Sequence, residues 1–213
     1  RAALFAGDHV RADELFVEKF SRKKVIRSHQ SLGDLFIEFN HRNITEYRRE
    51  LDISKAIAKV SYRSNGHLIQ EELFVSYPHK AILIRLSTEA EEGINARIRM
   101  SRPEDHGYAT AKTSVDEFQQ LIMKGEVTQR GAIFDSKPAP ILEGVMFETC
   151  LKIKNIGGEI IGGQDYLELK NVKQATFYIV SNASYYFEDF SHQNIIDLAA
   201  IIEKDFETLK KEH

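Results

Sequence analysis

Ala56-Ile57-Ala58-Lys59-Val60-Ser61-Tyr62-Arg63-Ser64-Asn65-Gly66-His67-Leu68-Ile69-Gln70-Glu71-Glu72-Leu73-Phe74-Val75-Ser76 is the stretch that decides the fold class. Ala56, Ala58, Val60 and Tyr62 alternate with Lys55, Lys59, Ser61 and Arg63. A period of two puts the apolar set on one face of a half-buried strand. Ser64-Asn65-Gly66 follows. Asn-Gly accepts the positive φ that a tight hairpin turn demands, so the chain should reverse there and return as a strand over 67–76.

Working outward, the same period recurs on both sides. Leu35–Phe39 and Tyr47–Leu51 read as strands before the hairpin. After it come strands over 81–86 and 94–100, the latter with Ile94, Ala96, Ile98 and Met100 on one face. Residues 101–117 are polar and are expected to form a loop. Residues 118–129 are expected to form a strand pair broken near Lys124-Gly125, and 131–141, with Pro138 and Pro140, an exposed loop. Further strands are expected over 145–153, around Ile160, and over 166–169 and 175–180. Consecutive strands with turn signals between them predict a mostly β, antiparallel sandwich.

The two ends read as helical. Residues 2–20 carry apolar side chains at roughly helical spacing, with a break at Gly7-Asp8, and the basic Arg22-Lys23-Lys24 looks like a solvated connector. At the other end Ser191 is expected to cap one amphipathic helix, with Ile195, Leu198, Ala199, Ile202, Phe206 and Leu209 on its apolar face. The domains expected are therefore a helical segment (1–24), a β-sandwich (25–190) and the start of a linker helix (191–213).

Composition narrows the function classes. With 42% hydrophobic and 29% charged residues the chain can bury a core, and wholesale disorder is not expected. A net charge of −3 gives no basic excess for nucleic acid or an anionic membrane, and no apolar run is long enough for a membrane helix. The absence of tryptophan counts against a free-standing sugar-binding module. A single cysteine, Cys150, excludes an internal disulfide.

Candidate chemistry is sparse. Glu71-Glu72, Glu91-Glu92 and Glu104-Asp105 are the paired carboxylates to test for sugar hydrolysis. Adjacent strand residues point to opposite faces, so Glu71 and Glu72 cannot serve one sugar, and solvated charge is the expected use of all three pairs. The eight histidines are scattered, and Glu104-Asp105-His106 alone resembles a cation loop. Cys150 reads as a packed thiol. Gly157-Gly158 and Gly162-Gly163 read as hairpin turns, not as a phosphate cradle. Asn43-Ile44-Thr45 and Asn182-Ala183-Ser184 fit the glycosylation pattern. Tyr185-Tyr186-Phe187 could stack on sugar, with packing against the terminal helix the expected use. No catalytic, cofactor-binding or metal-binding residue is assigned.

Two segments carry a resemblance to a known family. His29–Phe39, with His29 and Ser31 where the family pattern has Tyr and Pro, and Tyr47-Arg48-Arg49-Glu50-Leu51-Asp52 with its sequel Ala56–Tyr62, resemble the N-terminal β domain of family 95 glycoside hydrolases of the α-L-fucosidase type. Glu71–Ser76, Gly144–Glu148 and the Gly157-Gly158 turn fit the same pattern, so the resemblance runs along nearly the whole chain. It implies an antiparallel β-supersandwich with short N-terminal helices and a C-terminal linker helix. It also implies a non-catalytic fragment that packs against an (α/α)6 catalytic barrel lying beyond His213. That barrel would supply the inverting acid–base chemistry on terminal α-L-fucosyl residues, and a secreted or periplasmic parent enzyme would meet fucosylated glycans through it. The alternative is a stand-alone carbohydrate-binding or protein-interaction β-sandwich module.

Overall fold

The computed structural model describes residues 1–20, 30–104, 109–127 and 144–213. These fall into two units. The described part of the first unit is helical: α1 (Ala2–Phe5) and α2 (His9–Phe20). The Asp8 carboxylate accepts from the Arg11 backbone N–H at 2.9 Å, so the expected break at Gly7-Asp8 is also the start of α2. The expected connector at 22–24 and the expected loop at 131–141 lie outside the described residues.

The second unit contains twelve described strands and two helices: β1 (Asp34–Phe39), β2 (Ile44–Asp52), β3 (Ile57–Ser64), β4 (His67–Ser76), β5 (Ala81–Thr88), β6 (Ile94–Ser101), β7 (Ala111–Val115), β8 (Leu121–Glu126), β9 (Met146–Ile156), β10 (Glu159–Gly162), β11 (Tyr166–Val172), β12 (Gln174–Ala183), α3 (Phe190–Ile202) and α4 (Phe206–Glu212). They form two antiparallel sheets, one in the order β1-β6-β11-β10 and one in the order β2-β3-β4-β5-β12-β9-β8-β7. The mostly β, antiparallel reading is met. The β3–β4 hairpin closes as expected. Ser64 pairs with His67, and Asn65 and Gly66 turn at φ +50° and +86°.

The main core lies between the sheets. Ile94, Ala96, Ile98 and Met100 of β6 and Leu167 and Leu169 of β11 meet Ile84, Leu86, Leu151 and Phe177 of the larger sheet. A second apolar cluster covers part of the larger sheet's outer face, where Phe74, Leu83, Tyr178 and Val180 pack under Leu198, Ile201, Phe206 and Leu209. Strand β12 is buried on both faces from Ala175 to Val180, which explains its nearly unbroken apolar run.

Four expectations change. The single C-terminal helix is two helices. The chain leaves α3 at Glu203, and Asp205 starts α4 by accepting from the Thr208 N–H and hydroxyl. The Tyr178 hydroxyl donates to the Lys204 carbonyl at 3.1 Å, satisfying a backbone acceptor at the break. The cap of α3 is Asp189, which accepts from His192 N–H, and not Ser191. Ile195, expected on the buried face, is 64% exposed. Finally, among the described residues of 101–129 there is one hairpin, displaced from its expected place. Part of the expected loop is β7, and Phe118 lies in the turn before β8. Ala111-Lys-Thr-Ser-Val carries too few apolar side chains for its period to show.

Candidate functional site

The residues with chemical potential gather on the outer face of the larger sheet, and the strand register shows why. Glu50, Lys59, Glu72, Arg85, Thr176 and Lys154 are successive cross-strand partners from β2 to β9, so their side chains form one row on one face. The neighbouring row toward the helices is apolar: Ile57, Phe74, Leu83 and Tyr178 lie under α3 and α4.

Glu72 is the hub of the charged row. Its carboxylate accepts from Lys210 Nζ at 2.7 Å and Arg85 Nη2 at 2.7 Å, and Lys59 Nζ lies at 3.3 Å. Burial alone would raise its pKa. The hydrogen bonds and positive charges of Lys210 and Lys59 outweigh that and hold it below the usual value. Arg85 also pairs with Glu207 at 2.5 Å and lies over the Phe206 ring at 4.3 Å. Lys59, Glu72, Arg85 and Lys210 border a hollow of about 290 Å³ that is lined in addition by Glu50, Val60, Ser61, Gln70, Glu71 and Ser87.

A second buried carboxylate lies on the same face. Glu148 is 4% exposed. It accepts from Ser191 Oγ at 2.8 Å, from Asn194 Nδ2 at 3.1 Å and from Lys124 Nζ at 2.6 Å. Burial again pushes the pKa up, and the Lys124, Asn194 and Ser191 hydrogen bonds bring it below normal. Asn194, itself 1% exposed, also accepts from Asn182 Nδ2 at 2.9 Å. This nest fixes the start of α3 to β9 and leaves no room for a substrate.

A third grouping has the connectivity of a nucleophilic triad. Ser76 Oγ lies 2.7 Å from His79 Nδ1, and His79 Nε2 lies 2.8 Å from Glu212 Oε2. A carboxylate only accepts, so Nε2 carries the proton and Nδ1 accepts from the Ser76 hydroxyl. That is the proton polarity of a serine nucleophile. Access is missing: Ser76 is 1% exposed. Lys204 Nζ meets the same Glu212 oxygen at 2.7 Å. The grouping therefore ties the β4–β5 turn to α4. Sequence reading missed it because Glu212 lies 133 residues from His79.

The carboxylates singled out in the sequence do not converge. Glu71 and Glu72 occupy opposite faces: Glu71 pairs with Val60 and Leu86 in the inter-sheet row, where burial pushes its pKa up. Glu91 and Glu92 are exposed in the turn before β6. Glu104 is exposed, while Asp105 and His106 lie outside the described residues. Among the described residues no three His, Cys, Asp or Glu side chains are grouped to hold a metal ion. Cys150 is buried and donates to Gln120 Oε1 at 2.8 Å. Burial, with Glu148 and Asp116 nearby, pushes its thiol up to about 12, so it is an inert thiol.

The remaining candidates take structural places. Gly157 and Gly158 form the β9–β10 turn at φ +68° and +62°, and a Cβ on Gly158 would stand 2.1 Å from the Lys170 carbonyl oxygen. Asn43 turns at φ +49° and donates to Asn65 Oδ1 at 2.8 Å. The Asn182 amide is committed to Asn194 and Asp197. Tyr185 and Tyr186 are 73% and 78% exposed and meet edge to face at 82°, so they neither pack under α3 as expected nor form one flat platform.

Comparison with known proteins fits this geometry. Residues 1–187 match the family described as glycosyl hydrolase family 65, N-terminal domain. The chain is 26% identical over 151 residues to alpha-L-fucosidase 2 of Arabidopsis thaliana, an alignment that covers 64% of this chain and 17% of that protein. Among solved structures, a chain described as a kojibiose phosphorylase from human microbiome superposes with a TM-score of 0.54 at 11% identity, covering 84% of this chain and 26% of that one. At that identity the likeness shows the fold alone. The chain spans about a quarter or less of the length of these relatives.

Proposed function

Because the chain belongs to the glycosyl hydrolase family 65 N-terminal domain family, we propose that it is the non-catalytic β scaffold of a longer family 95-type glycoside hydrolase that removes terminal α-L-fucosyl residues with inversion. The fucosidase relative supports the substrate class. The observation that carries the scaffold role is the separation of the acidic groups. An inverting glycosidase needs two carboxyls flanking one glycosidic bond. Glu71 and Glu72 stand back to back across a sheet, Glu72 is saturated by three cations, and Glu148 is closed in under α3. The groups that do the chemistry then lie in a catalytic barrel of the same polypeptide, against which this domain packs.

The test compares hydrolysis of an aryl α-L-fucoside by the 213-residue chain and by a longer polypeptide in which it is followed by the barrel. The expected result is no turnover above background by the chain alone and turnover with inversion by the longer form. Turnover by the chain alone, or retention of anomeric configuration by the longer form, contradicts the proposal.

A further inference from the structure

Beside the charged row on the outer face runs a second row of a different character. Ser61, Gln70, Ser87 and Gln174 are successive cross-strand partners on β3, β4, β5 and β12. They are two residues along each strand from Lys59, Glu72, Arg85 and Thr176, and so share their face. The side chains of Ser61, Gln70 and Ser87 make no hydrogen bond among the described residues, and all three line the hollow of about 290 Å³. Strands lie about 4.8 Å apart, so these three positions span about 10 Å.

The walls decide what the hollow can hold. Of the charged residues that line the hollow, Lys59, Arg85 and Lys210 are matched by Glu50, Glu71 and Glu72, so the six charges cancel; beside it Arg48 pairs with Glu50 and Glu207 with Arg85. Glu72 takes all three cations, and Glu207 takes Arg85 at 2.5 Å and lies 3.6 Å from Lys210. A free anion or cation entering here would have to break a standing ion pair. A neutral ligand rich in hydroxyls would not. Its hydroxyls can donate to and accept from Ser61, Gln70 and Ser87, and the ion-paired groups at the border still offer unused N–H groups from Lys59 and Lys210.

We propose that the hollow between α4 and strands β3 to β5 binds a neutral saccharide of about two sugar units. This role goes beyond the scaffold and rests on the same carbohydrate reading only for the choice of probes. The site orders its ligand by hydrogen bonds and has no aromatic platform, so affinity is in the millimolar range.

The experiment is an amide chemical-shift titration of the isotopically labelled 213-residue chain with a neutral α-glucosyl disaccharide, a neutral α-L-fucosyl disaccharide and, separately, inorganic phosphate. At least one disaccharide is expected to give saturable shifts confined to residues 59–61, 70–72 and 85–87, and phosphate none there. The Ser61→Val/Ser87→Val double variant removes both hydroxyls, introduces residues that favour strands, and should weaken binding at least tenfold. Gln70→Ala, at an exposed position, should weaken it severalfold without disturbing the fold. Absence of saturable shifts, shifts centred on Tyr185 and Tyr186, a stronger response to phosphate, or unchanged affinity in both variants overturns the proposal. None of these outcomes bears on fucoside hydrolysis by the longer polypeptide, so the two readings fail separately.

Discussion

Glu148 and Glu72 sit on the same face of the same sheet, 4% and 8% exposed, and both are held ionised by lysines. Their surroundings differ. Glu148 shares its oxygens with Ser191 and Asn194, which hold it under α3, and with Lys124, which reaches in from the surface. Glu72 is gripped by cations alone, and the sheet face beyond it is open. The contrast separates two uses of a buried charge: one closes a helix onto a sheet, the other forms the wall of an accessible hollow. Burial alone would not have told them apart.

The largest expected effect tests that contrast directly. Removing Glu148 leaves the Asn194 amide and the Ser191 hydroxyl under α3 short of an acceptor, while Lys124, 59% exposed, regains water, so Glu148→Ala should cost about 3 kcal/mol. Glu72→Ala should cost about half of that, about 1.5 kcal/mol, because Lys59 is half exposed and regains water while Arg85 keeps Glu207. Urea unfolding of the two variants at pH 7 gives the ranking. If Glu72→Ala is the more damaging, the open-versus-closed distinction is wrong.

A smaller effect belongs to the serine–histidine–glutamate grouping. Were it a nucleophilic centre, Ser76 would need access that its 1% exposure denies. As a tie between the β4–β5 turn and α4, its loss by Ser76→Ala removes one buried hydrogen bond, about 1 kcal/mol. The same variant should leave an activated-ester probe as unreactive as the parent chain. Labelling at Ser76 in the parent would overturn the structural assignment.

How far the sequence reveals these features follows from range. The β3–β4 hairpin was legible because its turn and both alternating faces lie within about twenty residues, and so was the opposition of Glu71 to Glu72, which needs only the strand period. The β7–β8 hairpin was displaced because Ala111–Val115 has little apolar contrast. The split between α3 and α4 was missed because Asp205 lies within an apolar helical period that Leu198, Phe206 and Leu209 continue. The nests at Glu148 and Glu72 join residues far apart in the chain, Asn194 being 46 positions from Glu148 and Lys210 138 from Glu72. Only the sheet order brings them together. Nothing local in Glu71-Glu72 marks which carboxylate meets Lys210.

The smallest expected effect concerns the third carboxylate, Glu71, and its sign is opposite to the other two. Burial pushes its pKa above the ordinary value of 4.5, so ionising it costs the folded state more than the unfolded one. That cost is absent below the unfolded pKa, grows as pH rises through the folded value, and stays constant above it. Glu71→Gln removes the charge while keeping the shape, so it should be more stable than the parent chain at pH 7, with the advantage shrinking as pH falls toward 4.5. Glu72 and Glu148, whose pKa values lie below normal, instead lose their contributions as pH falls through those lowered values. Tyr62 offers an independent readout, since burial and then the Glu71 charge raise its hydroxyl to about 12. The substitution should therefore lower the pH at which the Tyr62 phenol ionises. A stability difference independent of pH, or an unmoved Tyr62 titration, would show that Glu71 does not share the inter-sheet space with Tyr62.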